Sequence, residues 1–357
     1  MPCRVIQCGT GMAGGEALRA IIDRPGLELA GLLVARAESA GKDAGEAVGR
    51  PHTGIKATNR IDDIVAIDAD IVCYMLVVPN LADICRLLAS GKNVVTTAGL
   101  IFPTWRAPDA RQRLTAACEA GNSSFYVTGI NPGWVDEILP LVMSSLCRDI
   151  ERIDIREYAD CAKYPSPALT FDVMGFGKTP EEIAAGAVPD MTVMTDFFAQ
   201  AVAALGHGLG IDLDDVAVSR EFALAPHDLT IPAGPVKAGT IAGQRWRWTG
   251  SVAGMARIVQ ETFWIVAFDL GEGWPKAAEV QNDTQWQVTI EGSPSLRVVF
   301  EPRVSFKDAG AVGPNPSGLA TAMAAVNSLT AVCDAPAGLL TSIDLKLPHW
   351  RGGVSPT

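Results

Sequence analysis

Glycine stands at positions 9, 11 and 14, in the run Gly9-Thr10-Gly11-Met12-Ala13-Gly14, directly after a β-branched run at 4–8 and directly before a helical pattern. This is the GxGxxG spacing of a dinucleotide loop. The first glycine allows the tight turn, and the second lets a diphosphate approach the backbone. The third lets helix and strand pack closely, with the anion at the positive helix N-terminus. All six residues are therefore candidate cofactor contacts, with Thr10, Met12 and Ala13 carried between the glycines. Where an NAD site places an acid at the end of the second strand, this chain reads Leu33-Val34-Ala35-Arg36. A guanidinium there suits adenine stacking and a 2′-phosphate, with Ser39 and Lys42 close behind. NADP(H) is favoured on this reading. The alternative is NAD(H), with Arg36 solvated and Glu38 turned inward to the ribose. Two further strand ends, Leu76-Val77-Val78-Pro79-Asn80 and Thr96-Thr97-Ala98-Gly99, lie where the ligand crevice of such a sheet opens, so Leu76, Val77, Pro79, Thr97 and Ala98 are expected beside the nicotinamide.

Hydride transfer also needs a group that gives or takes a proton. Glu157, Tyr158, Asp160, Lys163 and Tyr164 cluster at the end of a predicted strand, and Tyr158, Asp160 and Lys163 are the candidate catalytic residues; a solvated loop is the alternative. Asp136 and Glu137 follow Asn131-Pro132-Gly133. Glu137 is a fourth candidate, although acids in a helix's first turn are favoured by the dipole alone. The four histidines, His52, His207, His227 and His349, are far apart, and His207 reads as part of a helix-ending turn. The eight cysteines form no CxxC pair, so neither a metal nor a disulfide framework is expected, and reduced, mostly buried thiols are. Trp134, Phe171, Met174, Phe176 and Phe197 read as core that could also line an apolar substrate pocket.

The elements that must position these groups alternate along residues 1–132 as short β-branched runs and helical patterns, at 4–8, 16–22, 27–34, 61–67, 71–78, 81–90, 93–97, 107–120 and 124–128. That rhythm predicts an α/β Rossmann domain with a doubly wound parallel sheet. Residues 133–314 read as a second α+β domain for substrate and dimerisation. It has a helix at 135–146, a strand at 151–157 and a largely antiparallel sheet from runs at 216–221, 235–248, 261–268, 284–291 and 296–301. The segment 315–357, with a small-residue helix at 317–332, is expected to pack back on the first domain. The apolar run at 262–268 predicts a homodimer, since it needs cover. A net charge of -11 repels phosphate backbones and anionic lipid, so no nucleic-acid or membrane partner is expected. With 48% hydrophobic and 19% charged residues, no apolar span long enough for a bilayer and no signal-peptide pattern, a cytoplasmic enzyme for a small molecule is expected.

The glycine loop, Gly41-Lys42-Asp43-Ala44-Gly45-Glu46, Asn93-Val94-Val95-Thr96-Thr97-Ala98 and Gly129-Ile130-Asn131-Pro132-Gly133 together resemble the dihydrodipicolinate-reductase-like oxidoreductases. The resemblance is closest to the branch of 2,4-diaminopentanoate dehydrogenase and the native amine dehydrogenases. It continues through Met174-Gly175-Phe176-Gly177 and Thr321-Ala322-Met323-Ala324-Ala325-Val326-Asn327. It implies reduction of a C=O or C=N bond by a nicotinamide, a homodimer through the second sheet, and cofactor contacts at Asn131, Pro132, Gly133 and Asn327. Two departures stand out. Amine dehydrogenases of that branch carry a glutamate just after one Rossmann strand, where this chain has Thr97-Ala98-Gly99. Dihydrodipicolinate reductase uses paired histidines and a lysine, where this chain reads Glu157-Tyr158-Ala159-Asp160-Cys161-Ala162-Lys163, so only Lys163 keeps its place. The expected function is therefore NAD(P)H-dependent reduction of a C=O or C=N bond in a small to medium, mainly apolar substrate. Amine dehydrogenase activity and nicotinamide binding without turnover are the alternatives.

Overall fold

The first β-branched run folds as β1 (Cys3–Cys8), whose Val5, Ile6 and Cys8 are wholly buried, because helices must cover both faces of a central parallel strand. The structure is a computed structural model that describes residues 2–76, 78–99, 102, 107–164, 166–189, 191–280, 284–308 and 310–346. Two compact units divide the chain: Met1–Trp134 with Val304–Thr357, and Val135–Arg303.

In the first unit β1 leads into α1 (Met12–Asp23), β2 (Leu27–Leu33), β3 (Ala57–Thr58), α2 (Ile61–Ala66) and β4 (Ile71–Tyr74). Then come α3 (Leu81–Ala89), β5 (Asn93–Thr96), α4 (Pro108–Gly121) and β6 (Ser124–Val127). The second unit holds α5 (Leu139–Ser144), β7 (Asp149–Asp160), α6 (Pro180–Ala184), α7 (Met191–Gly208), β8 (Asp215–Leu224), β9 (Leu229–Ile231) and β10 (Gly234–Val236). It ends with β11 (Ile241–Val252), β12 (Met255–Ile265), β13 (Thr284–Ser293) and β14 (Leu296–Phe300), after which α8 (Pro316–Cys333) and β15 (Gly338–Leu340) belong to the first unit again.

The first sheet is parallel throughout, in the order β15-β6-β5-β4-β1-β2-β3, with the strand order reversing between β1 and β4. Every carboxyl end therefore lies along one edge. The small residues of α8 let it approach closely, and Ala322, Ala325, Val326 and Leu329 share a core with Val5, Ala17, Ile71 and Val95.

The second unit's sheet has the order β14-β13-β7-β12-β11-β8 and is antiparallel except for the parallel pair β7 and β12. Helix α7 covers the face that carries Trp248, with the rings of Phe198 and Trp248 4.5 Å apart. The run read as one strand at 235–248 is split into β10 and β11, because Gly239 turns the chain at a φ of +78°. The helix expected at 135–146 begins instead with wide π-type turns over Ile130–Ile138, broken by non-helical angles at Asn131, Pro132 and Gly133. Strands β3, β9 and β15, with two or three residues each, are too short for an alternation to show in sequence.

Candidate functional site

The glycine loop separates three roles. Gly9 has a φ of +92°, and a Cβ there would lie 2.7 Å from the Met75 carbonyl oxygen. A Cβ on Gly14 would lie 2.4 Å from the Gly9 carbonyl oxygen. These two are glycines for the fold's own sake. A Cβ on Gly11 would meet nothing within 4 Å, and Thr10, Gly11 and Met12 are exposed. Helix α1 starts at Gly11 with no side-chain cap and no acid in its first turn, whereas Asn80 caps α3 and Asn315 caps α8. Its first N–H groups are thus open to an anion, as a bound diphosphate requires. The residues present fit a dinucleotide.

Around the loop, the Gly9 N–H donates to the Leu33 carbonyl at 2.8 Å and the Met75 N–H to the Cys8 carbonyl at 2.8 Å, which ties the ends of β1, β2 and β4 together. At the same edge Leu76, Thr97 and Ala98 are half-buried, and Pro79 is exposed; Val77 lies outside the described residues. The Ala98 N–H donates to Thr96 Oγ1 at 3.0 Å. Gly99 adopts a φ of +79°, with a would-be Cβ 3.1 Å from Pro79 Cγ. A glutamate at that position would be strained in this backbone conformation. Beyond β6, Asn131 and Pro132 are half-buried, and Gly133 turns at a φ of +135° with a would-be Cβ 3.2 Å from the Thr128 carbonyl carbon.

Asn327 does not join them. Arg24, at the C-terminal end of α1, donates to Asn327 Oδ1 at 2.7 Å, whereas the start of α8 at Gly318 lies beside Met12, at the loop end of α1. The expected cofactor contact is corrected to a helix-to-helix bond, about 18 Å along a twelve-residue helix from the glycines.

After β2, Arg36 is exposed and its guanidinium makes no hydrogen bond or ion pair with the described residues; Glu38 is exposed too, not turned inward, and Ser39 is half-buried. Behind this turn Asp43 anchors the following loop. Burial would raise its pKa, but backbone N–H groups of Thr53, Gly45 and Gly54 donate to it and bring the pKa down to about 2.

In the second unit, strand alternation divides the acidic and phenolic cluster between two faces. Arg156, Tyr158 and Asp160 share one face, and Glu157 and Ala159 the other. The Tyr158 ring stacks on Phe263 with centroids 5.3 Å apart. Burial pushes its phenol pKa up, against the pull of the neighbouring Arg156 guanidinium. Beside it, buried Glu261 accepts from Arg156 at 3.0 Å, Arg245 at 2.6 Å and Arg247 at 2.8 Å. Burial would raise the Glu261 pKa, but hydrogen bonds from Arg245 and Arg247 hold it below the usual carboxylate value. Asp160 Oδ1 caps a turn by accepting the Ala162 N–H at 3.1 Å, and its Oδ2 lies 3.8 Å from Lys163 Nζ. Of the expected catalytic residues, the structure pairs Asp160 with Lys163 and places Tyr158 among an arginine and a phenylalanine.

Glu157, set aside at the sequence level in favour of its neighbours, is the more unusual group. It is 8% exposed and accepts the indole N–H of Trp264 at 2.9 Å and of Trp286 at 3.0 Å. The only sequence signal was its place in the alternation, opposite Trp286 and Thr262 in register. Asp136 and Glu137 are both buried, and they do not stand in the first turn of a regular helix, where the dipole alone would favour them. The reason is that wide turns, not a regular exposed helix, carry them. Among the described residues no group of three or more His, Cys, Asp and Glu is placed to hold a metal ion, and no helix is long and apolar enough to cross a membrane.

Residues 134–354 match the family described as the 2,4-diaminopentanoate dehydrogenase C-terminal domain. The chain is 29% identical over 350 residues to an amine dehydrogenase of Streptomyces virginiae, covering 95% of each chain. It is 24% identical over 354 residues to the 2,4-diaminopentanoate dehydrogenase of Acetoanaerobium sticklandii, covering 97% of this chain and 94% of that one. The fold matches that of an amine dehydrogenase from Mycobacterium smegmatis with a TM-score of 0.77 at 17% identity, over 98% of both chains. A dinucleotide loop of this form at the head of a chain matched in this way makes it an NAD(P)-dependent oxidoreductase, and it belongs to the 2,4-diaminopentanoate dehydrogenase family.

Proposed function

We propose that the chain reduces a C=O or C=N bond of a small to medium, mainly apolar substrate with NADPH, NADH being the second choice. The observation that carries this reading is the exposed, uncapped start of α1 with Gly11 open beside it. Gly9 to Gly14 would hold the diphosphate and Arg36 the 2′-phosphate, while Leu76, Pro79, Thr97, Ala98, Asn131, Pro132 and Gly133 would border the nicotinamide. When bound, the cofactor supplies the hydride. The chain's own part is to orient the substrate and to hold a proton for it. Tyr158, a neutral phenol whose pKa burial raises further, is the first donor proposed, with Lys163 beside Asp160 and then Glu137 as the others.

A second reading is reductive amination. The Streptomyces virginiae relative is named an amine dehydrogenase, and the buried carboxylates Glu137 and Glu157 are bases of the kind that deprotonates ammonium. The glycine at position 99 weighs toward carbonyl reduction, since the branch's glutamate has no counterpart there. Oxidation of NADPH and NADH with a panel of ketones and aldehydes, with and without ammonium, tests the assignment. Turnover without ammonium supports carbonyl reduction, and ammonium-dependent turnover supports the second reading. Cofactor binding with no turnover on any substrate would leave a nicotinamide-binding protein.

We further propose a cytoplasmic homodimer formed through the mixed sheet. Phe263, within the run expected to need cover, packs on Trp274 of its own unit with ring centroids 6.0 Å apart, so the support lies elsewhere on that face, at Val299, which is 49% exposed. A monomer mass at micromolar concentration in solution scattering would count against the dimer. The buried positions of Cys8, Cys73, Cys118 and Cys161 support thiols that stay reduced, as in a reducing compartment.

A further inference from the structure

Strand β1 begins at Cys3 and α8 ends at Cys333, and both residues lie along the amino-terminal edge of the parallel sheet, away from the glycine loop. Their Sγ atoms are 3.9 Å apart although 330 residues separate them in sequence. Both are partly exposed and line a surface cavity of about 630 Å³ shared with Asp70, Asn93 and Asp334. Cys8, Cys73, Cys118 and Cys161, by contrast, are buried. The Asn93 side-chain amide donates to Cys333 Sγ at 3.8 Å and to the Asp70 carbonyl at 3.0 Å, which holds the end of α8 over the start of β5.

We propose that Cys3 and Cys333 are a reversible dithiol–disulfide site that reacts with low-molecular-weight disulfides. Two observations favour it: sulfurs already in contact, which need to close only from 3.9 Å to about 2 Å, and an open cavity that admits a reagent. Either thiol can donate to the other, so either can be the attacking group; for Cys3, the contact with Cys333 lowers the pKa against burial and the nearby Asp70 and Asp334 charges. In the first step the Cys3 thiolate attacks one sulfur of the small disulfide, forming a mixed disulfide and releasing one small thiolate. Cys333 then loses its proton to solvent and attacks the Cys3 sulfur, forming the Cys3–Cys333 bond and releasing the second small thiolate. Two electrons pass from the two protein thiols to the small disulfide, which leaves as two thiols once the thiolates take up the two protons.

The new bond would tie β1 to α8 inside the first unit and restrict the unfolded chain, so the oxidised protein should melt higher. The glycine loop follows the other end of β1, about 20 Å away along a six-residue strand, so cofactor affinity should be unchanged.

The full-length chain is treated with oxidised glutathione, its free thiols are counted after denaturation, and linked peptides are mapped by mass spectrometry. The expected result is a loss of two of the eight thiols, a peptide pair joining Cys3 to Cys333, and a melting temperature raised by several degrees that returns with dithiothreitol. Cys3→Ser and Cys333→Ser should each abolish the linked pair. Eight free thiols after treatment, linkage through Cys85 or Cys147 with Cys3 still free, or the same rise in melting temperature in Cys3→Ser would overturn the proposal.

Discussion

The loop after β1 and the end of β7 are both places where a strand hands the chain to a tight turn, and they differ in what does the work. After β1 the candidate atoms are backbone N–H groups, set by where a Cβ is forbidden: at Gly9 and Gly14 the chain itself excludes a side chain, and at Gly11 the space is empty. At the end of β7 the candidate atoms are side-chain tips, and alternation sends Tyr158 and Glu157 to opposite faces. A site made of backbone is written as spacing in sequence. A site made of side chains depends on what each neighbouring strand brings opposite it, as Trp264 and Trp286 are brought to Glu157.

The comparison can be broken most severely at Tyr158. If its face of β7 serves the reaction, Tyr158→Phe should lower kcat by ~100-fold or more while the melting temperature changes little, the scale of a lost proton donor. Because its phenol pKa is raised above the ordinary value near 10, the donor form is present at neutral pH and is lost only as pH rises through that raised value. Wild-type activity that is unchanged in Tyr158→Phe would move the chemistry to another group. At the loop, Gly11→Val should cost ~100-fold in NADPH and NADH affinity with the fold intact. Gly14→Val should instead lower the folded yield, since its Cβ would fall 2.4 Å from the Gly9 carbonyl oxygen. Isothermal titration beside thermal melts separates the two, and equal behaviour of the pair would undo the division of roles drawn here.

Glu157→Gln sharpens the other half of the comparison. A glutamine offers one acceptor oxygen where two indole N–H groups now find partners, so about 1–3 kcal/mol of stability should be lost in denaturant unfolding. Arg36→Asp should reverse the preference for NADPH over NADH by about tenfold in each direction, a change of ~1.4 kcal/mol per cofactor. A wild type that binds NADH more tightly would reduce Arg36 to a surface residue. The smallest effect is expected at Asp43. Its folded pKa of about 2 lies below the ordinary carboxylate value, so its stabilisation is complete above pH ~4 and is lost as pH falls toward 2. Asp43→Asn should flatten the acid-unfolding curve in that window.

Residue by residue, legibility follows the range of the interactions involved. β1, α3, β5, β6 and α8 lie within a few residues of where apolar periodicity puts them, because their burial patterns are local consequences of strand and helix geometry. The Gly41 to Glu46 run is a motif on sight, yet its cause emerges only in the fold: a Cβ on Gly45 would lie 2.0 Å from the Pro51 carbonyl oxygen, and Asp43 collects donors from Gly45 to Gly54. Asn327 misled because a motif on a helix does not say which end of a neighbouring helix it will meet, and Arg24 settles that. Gly99 read as a missing acid; its φ of +79° makes it a turn that an acid could not occupy without strain.

The sequence by itself determined the parallel sheet, the glycine loop on its carboxyl-terminal edge and a second unit rich in long strands, since each follows from spacing over a few residues. Only the tertiary structure decided which face of β7 would be buried, which indoles would meet Glu157, and that Cys3 would lie against Cys333. Period-two alternation states which side chains share a face, but the neighbours across it come from strands and helices up to hundreds of residues away, and only packing brings them into register.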